Sequence, residues 1–176
     1  AMSDGRVELG IGAGWYDAEH TAYGIPFPPL GERFERLEEQ LAIISGLWAT
    51  PEGETFAYAG THFQVTDSPA LPKPVQYPGP PIIIGGWGSA RTPRLAAHYA
   101  AEFNVPFPPV DAFAPQCDRV RTACEAIDRD PASLVYSACL VACCGSDEAE
   151  ITRRARAIGR EPDELRSHGA AGTPAE

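Results

Sequence analysis

Two short stretches hold the residues whose types and spacing could do chemistry. "GIGAGWY", residues 10–16, places Gly10, Gly12 and Gly14 at every second position, with Ala13 between the last two and Trp15 and Tyr16 behind them. "GGWG" places Gly85, Gly86 and Gly88 around Trp87. Glycine weakens a strand interior, so glycines at a strand exit serve a tight turn or keep a backbone bare for a ligand. For the first stretch both readings stand. At the second, consecutive backbone N–H groups and the positive end of a following helix would form an anion site. The other reading is a loop that needs positive φ and nothing more. Trp15, Tyr16 and Trp87 would flank a flat ring or line a substrate pocket; core or lid positions explain them equally. The first stretch is not a dinucleotide fingerprint, because its glycines follow G-x-G-x-G rather than G-x-G-x-x-G.

Other chemistry-bearing residues have plainer explanations. Glu19 and His20 are the nearest titratable groups to the first stretch, and a surface helix start accounts for them. Arg33, Glu35, Arg36, Glu38 and Glu39 recur three and four apart, the pattern of exposed ion pairs on a helix face. His62 and His98 have no companion ligand at metal spacing, so no metal site is expected. Five cysteines (Cys117, Cys124, Cys139, Cys143 and Cys144) make an odd number without a C-x-x-C pair. They read as buried free thiols in a reducing cytoplasm.

The elements that would position these residues follow from periodicity. Val7 to Ile11 reads as a short buried strand. Phe34, Leu37, Leu41, Ile44 and Trp48 form one apolar stripe of a helix. "ETFAYAGTHFQV" predicts a β-hairpin turning at Ala59-Gly60, and the Pro-rich "SPALPKPVQYPGPP" an extended surface excursion. Pro81 to Ile84 reads as a buried strand, followed by a helix capped by Thr92 with Pro93 at its first position. "EFNVPF" is a third strand, and Phe113, Cys117, Val120, Cys124 and Ile127 the stripe of the next helix, stopped near Asp130-Pro131. Leu134 to Cys144 predicts one long apolar strand. Ser146 or Asp147 would cap a last helix carrying Ile151, Ala155 and Ile158. Strands alternating with helices imply an α/β fold with a parallel sheet, doubly wound or closed as a barrel.

Length and composition bound the rest. The chain has 176 residues, the size of one ordinary domain, and its 44% hydrophobic and 22% charged content is that of a soluble globular protein. A net charge of −10 argues against nucleic acid, whose phosphates need clustered Lys and Arg. No apolar run is long enough to cross a bilayer, and no stretch reads as a signal peptide. Thr173-Pro174-Ala175-Glu176 has the form of a capping box announcing a further helix. A buried strand so near the other end would need neighbours on both sides. The expectation is an internal segment of a longer protein, which expressed alone would aggregate or stay molten unless another copy covers its edges.

"GRVELGIGAGWYDAEHTAYGIPFP", "ERFERLEEQLAIISGLW", "PVQYPGPPIIIGGWG" and "GTPAE", in that order and spacing, resemble the luciferase-like monooxygenase superfamily. The resemblance is nearest to the branch using the deazaflavin coenzyme F420. It implies a (β/α)8 TIM barrel with the cofactor at the C-terminal ends of the strands. Residues 1–176 would form one partial barrel domain with strands four to seven, residues 55–80 being a hairpin and Pro-rich insertion. Gly12, Ala13 and Gly14 would then meet the cofactor at the end of strand four. Gly85, Gly86, Trp87 and Gly88 would face its phosphate-bearing side chain, and Asn104 would be a further cofactor contact. Trp15 and Tyr16 would line the substrate pocket. Some F420 enzymes carry a catalytic acid directly after the first G-x-G, where this chain has Trp15, so that role is not carried over and the catalytic residues stay unassigned. The implied function is hydride transfer between F420 and a small organic substrate, in a homodimer of the intact parent. The rivals are an FMN-dependent monooxygenase of the same superfamily and a catalytically silent flavin-binding barrel.

Overall fold

A computed structural model describes residues 3–174. Two compact units emerge. One is the chain up to Ile84 together with His98–Ala101; the other is Gly85–Ala97 together with the chain from Glu102 on.

In the first unit the predicted opening strand is shorter than its apolar run: β1 is Leu9–Ile11. It pairs in parallel with β4 (Ile82–Gly85), Leu9 facing Ile82 and Ile11 facing Ile84. Between them come α1 (Asp17–Tyr23), α2 (Leu30–Ala49), β2 (Phe56–Ala59) and β3 (Gln64–Ser68). The stripe read from the sequence is the buried side of α2, with Leu37 and Leu41 at its centre. Gly46 admits the Phe56 ring, which any Cβ at that position would strike, so the helix and the hairpin lie close. β2 and β3 are antiparallel, and the Gly60 N–H donates to the Phe63 carbonyl across the turn. Residues 69–81 form no regular element. They are tied down by Lys73, which donates to the Leu47 carbonyl, and by Gln76, which donates to that of Val7.

In the second unit β5 (Glu102–Pro106) pairs in parallel with β6 (Val135–Cys139), from Glu102 facing Val135 to Pro106 facing Cys139. Phe103 and Val105 point into the core, and α4 (Val110–Glu125) buries Gln116, Cys117, Val120 and Cys124. Ile127, predicted to continue that stripe, lies beyond the end of α4 and is exposed. Arg129 donates to the Ala97 carbonyl at 2.9 Å, closing the end of α3 (Arg91–Tyr99) that belongs to this unit.

The long strand predicted over Leu134–Cys144 is two strands serving different partners. β6 stops at Cys139 because its neighbour stops: Phe107, after Pro106, has φ +50° and turns the chain away. The run resumes as β7 (Ala142–Cys144), parallel to β8 (Ala170–Gly172). That pair carries α5 (Glu148–Ile158) and α6 (Pro162–His168) over a small core of Cys143, Ile151, Ala155 and Leu165. Neither α6 nor β8 was legible in the sequence. Asp147 caps α5 by accepting from the Glu150 N–H, as one of the two predicted caps. The Glu150 carboxylate reaches back to the Ser146 N–H and hydroxyl and pairs with Arg154; these bonds hold its pKa down at about 2. Of the capping box expected at the far end, Thr173 and Pro174 are not helical, and Ala175 and Glu176 lie outside the described residues.

All five cysteines are free, but Cys139 and Cys144 are exposed, correcting the expectation of five buried thiols. Burial pushes the Cys117 and Cys124 thiols up, away from the reactive thiolate. Among the described residues no helix is long and apolar enough to cross a membrane.

Candidate functional site

The corner after β1 belongs to the first unit. Gly14 has φ +75°, the left-handed region that favours glycine. A Cβ there would touch His20 and Phe27 at 3.5–3.6 Å, ordinary contact, so the dihedral and not the space selects glycine. The loop is propped from α2: the Arg33 guanidinium donates to the carbonyls of Ala13, Gly14 and Pro28 and lies 3.9 Å from the Phe27 ring centre. The His20 ring meets the Tyr16 carbonyl through Nδ1 at 3.0 Å and packs on Phe27. Trp15 and Tyr16 stand outside this support with ring centres 5.2 Å apart, and Trp15 is 80% exposed.

The corner after β4 lies in the second unit and is held differently. Gly86 has φ +139°, and its N–H donates to the Asn104 carbonyl at 3.1 Å. Of the consecutive N–H groups that an anion site would need, this one is already committed to β5. The Trp87 indole N–H donates to the Pro106 carbonyl at 2.8 Å, pinning a half-exposed ring against the exit of β5. Gly88 is required by space, since a Cβ would come within 2.4 Å of the Thr92 hydroxyl. Thr92 is not the cap of α3. The helix begins one residue earlier, at Arg91, and Thr92 sits buried beneath the loop with Pro93 third in the helix.

The residue that fixes this loop went unread. Gln116, 1% exposed, reaches from α4 to the Gly88 carbonyl at 3.0 Å and the Gly86 carbonyl at 3.4 Å, while Arg119 donates to its Oε1 at 2.7 Å. A glutamine inside an otherwise apolar stripe is the signal that could have found it: a buried amide needs partners. Arg91 and Arg94, in the first turn of α3, line a shallow depression with Ala90. Asn104 donates through Nδ2 to the Ser137 hydroxyl at 2.7 Å, and that hydroxyl donates to the Glu102 carboxylate.

The acidic face of α2 is also not the row of ion pairs that its spacing suggests. Arg36 does pair with Glu32, at 2.7 Å. Glu39, however, accepts the backbone N–H groups of Thr61, His62 and Phe63, and Glu35 meets His62 Nε2 at 3.0 Å. Burial pushes the Glu39 carboxyl up, but the three backbone bonds and His62 outweigh it, and its pKa lies below the ordinary value. Gly60 makes the approach possible, because a Cβ there would overlap the carboxylate. α2 thus holds the first glycine corner with Arg33 and the hairpin with Glu39. Among the described residues no group of three or more His, Cys, Asp and Glu is placed to hold a metal.

Comparison with known proteins adds four findings. The family described as luciferase-like monooxygenase matches residues 1–176. Over 99 residues, 56% of this chain, the sequence is 43% identical to an F420-dependent glucose-6-phosphate dehydrogenase of Microbacterium testaceum (strain StLB037). Over 102 residues, 58% of the chain, it is 30% identical to an FMNH(2)-dependent dimethylsulfone monooxygenase of Pseudomonas putida. Each match spans 27% of the relative's length. An F420-dependent secondary alcohol dehydrogenase, solved with an F420-acetone adduct, superposes over 98% of this chain and 58% of its own with a TM-score of 0.81. At 15% identity that likeness carries the fold: α/β, of the luciferase-like TIM-barrel type.

Proposed function

Because this chain belongs to the luciferase-like monooxygenase family, we propose that it supplies cofactor-binding parts of an F420-dependent oxidoreductase acting on a small organic substrate. The observation that carries the proposal is the second corner. Gly85, Gly86, Trp87 and Gly88 form a loop in which Gly86 has positive φ and Gly88 has no room for a Cβ; it is locked by a buried glutamine and leads into a helix whose first turn bears Arg91 and Arg94. These residues fit a phosphorylated flavin-type cofactor: bare backbone, two guanidinium groups and a helix N-terminus suit its phosphate. When bound, the deazaflavin would supply the hydride donor or acceptor. The chain's own part is to orient and to hold. Gln116 fixes the loop carbonyls, and the Trp87 N–H bond sets the plane of its ring.

The first corner enters the proposal on its own residues. Gly12, Ala13 and Gly14 offer backbone to a flat ring, and the exposed Trp15 and Tyr16 offer aromatic surface to a substrate. Assembly as a homodimer is proposed with the function.

F420 is preferred over FMN because of the 43% identity to an F420-dependent enzyme. The 30% match to an FMNH(2)-dependent monooxygenase supports FMN as the second reading. The test is parallel titration of the full-length protein with F420 and with FMN, followed by absorbance and fluorescence. Saturable binding of F420 with weaker or no FMN binding is expected. The reverse order would replace the first reading with the second, and binding of neither would overturn both. Binding without turnover over a panel of reductants and acceptors would favour a catalytically silent barrel.

A further inference from the structure

β5 and β6 carry a polar chain with a fixed direction. Phe103 and Val105 face the core, so Glu102 and Asn104, alternating with them, share the opposite face. Ser137 lies opposite Asn104 in the register and joins the two side chains. The donors and acceptors allow one order only. A carboxylate has no proton to give, so the Ser137 hydroxyl donates to Glu102 and its oxygen must accept. It accepts from Asn104, which must therefore turn its NH2 toward Ser137 and its Oδ1 away. The two ends of an asparagine amide differ, one accepting and one donating, so its orientation follows from its hydrogen-bond partners. Here a glutamate two residues earlier sets that orientation. The side chain is half-buried beside Gly85, where no side chain crowds it: Asn104 Cβ is 3.8 Å from where a Gly85 Cβ would stand.

The geometry points to Asn104 as the residue that recognises the imide edge of the cofactor ring, with Glu102 and Ser137 as positioning residues that set its amide. Oδ1 accepts from the ring N3–H, and the Nδ2 hydrogen not given to Ser137 donates to an adjacent ring carbonyl. F420 and FMN share this edge, so the inference rests on the flavin-type reading but not on the choice between the two. It binds and orients the ring, with no bond made or broken by the protein.

The test titrates the full-length protein with F420 and its N3-methyl derivative, and with FMN and 3-methyl-FMN. Methylation removes the proton that Oδ1 would accept. The unmethylated ring should bind about tenfold more tightly in at least one pair, the size expected for one good hydrogen bond. Asn104→Ala should bring that ratio to one, Glu102→Ala and Ser137→Ala should move it most of the way, and Ser137→Thr should restore it. A general loss of packing would weaken both ligands of a pair and leave the ratio unchanged. Tight binding with a ratio of one in the unaltered protein would overturn this inference while leaving the cofactor reading intact. An unchanged ratio in Glu102→Ala and Ser137→Ala would overturn the positioning role. Binding of neither F420 nor FMN would overturn both readings.

Discussion

At the exit of β1, Gly14 answers a dihedral demand: φ is +75°, and the space a side chain would need is there. At the exit of β4, Gly88 answers a spatial one, because Thr92 already fills the place of its Cβ. The supports differ in the same sense. The first corner hangs on one long half-buried arginine and two rings, and its aromatics stand in solvent. The second is bound through backbone and a buried amide to β5 and α4. A corner held by one guanidinium can move at small cost. A corner held by a buried, fully paired amide keeps its shape until that amide is removed. Glycines that look alike in sequence therefore mark one adjustable loop and one preorganised loop.

The largest effect should come from filling the space at the second corner. Gly88→Val should lower the stability of the full-length protein by about 2–3 kcal/mol through overpacking against Thr92. Thermal and denaturant unfolding measure it. Thr92→Ala should return part of the loss, as expected for two groups in direct contact. If Gly88→Val is neutral, the second corner is as adjustable as the first and the contrast fails.

Gln116→Leu comes next. It keeps the size but leaves the carbonyls of Gly86 and Gly88 without their donor, at a cost of about 1–3 kcal/mol in unfolding free energy. Wild-type stability in this variant would show that the buried amide does not hold the loop.

The difference between the corners also shows what the sequence could and could not disclose. The stripe of α2, the strand–helix alternation and the positions of both glycine exits follow from local spacing, and all three are present. Arg33 and Glu39 carry the same local spacing as ordinary ion pairs. Their true partners are carbonyls about twenty residues back and N–H groups about twenty residues on, and such pairings leave no periodic mark. Gln116 sits at a core position whose periodicity says only that it is inside. The division of Leu134–Cys144 into two strands depends on where the neighbouring strand ends, which no property of the run itself records.

At the first corner a smaller effect is expected. Arg33→Met should cost about 1 kcal/mol and act locally, seen as faster proteolysis between Gly12 and Tyr16 with little change in global unfolding. A global loss as large as that of Gln116→Leu would erase the contrast.

The smallest effect concerns pH. The Glu39 carboxyl is held below its ordinary value, so its contribution is complete above the ordinary carboxylate range. That contribution fades as pH falls through the lowered value, where protonation breaks the bonds to Thr61, His62 and Phe63. Hydrogen exchange at those three amides should rise in acid relative to other hairpin amides, and Glu39→Gln should remove that dependence. A pH-independent pattern in the unaltered protein would contradict the assignment.

The most direct test of the central claim, that the preorganised second corner takes the phosphate-bearing end of the cofactor, compares F420 with its phosphate-free chromophore. The full-length protein should bind F420 at least about tenfold more tightly, and replacing Arg91 and Arg94 together by alanine should shrink that preference while sparing the phosphate-free ligand. Equal affinity for the two ligands, or a preference that survives loss of both arginines, would contradict it.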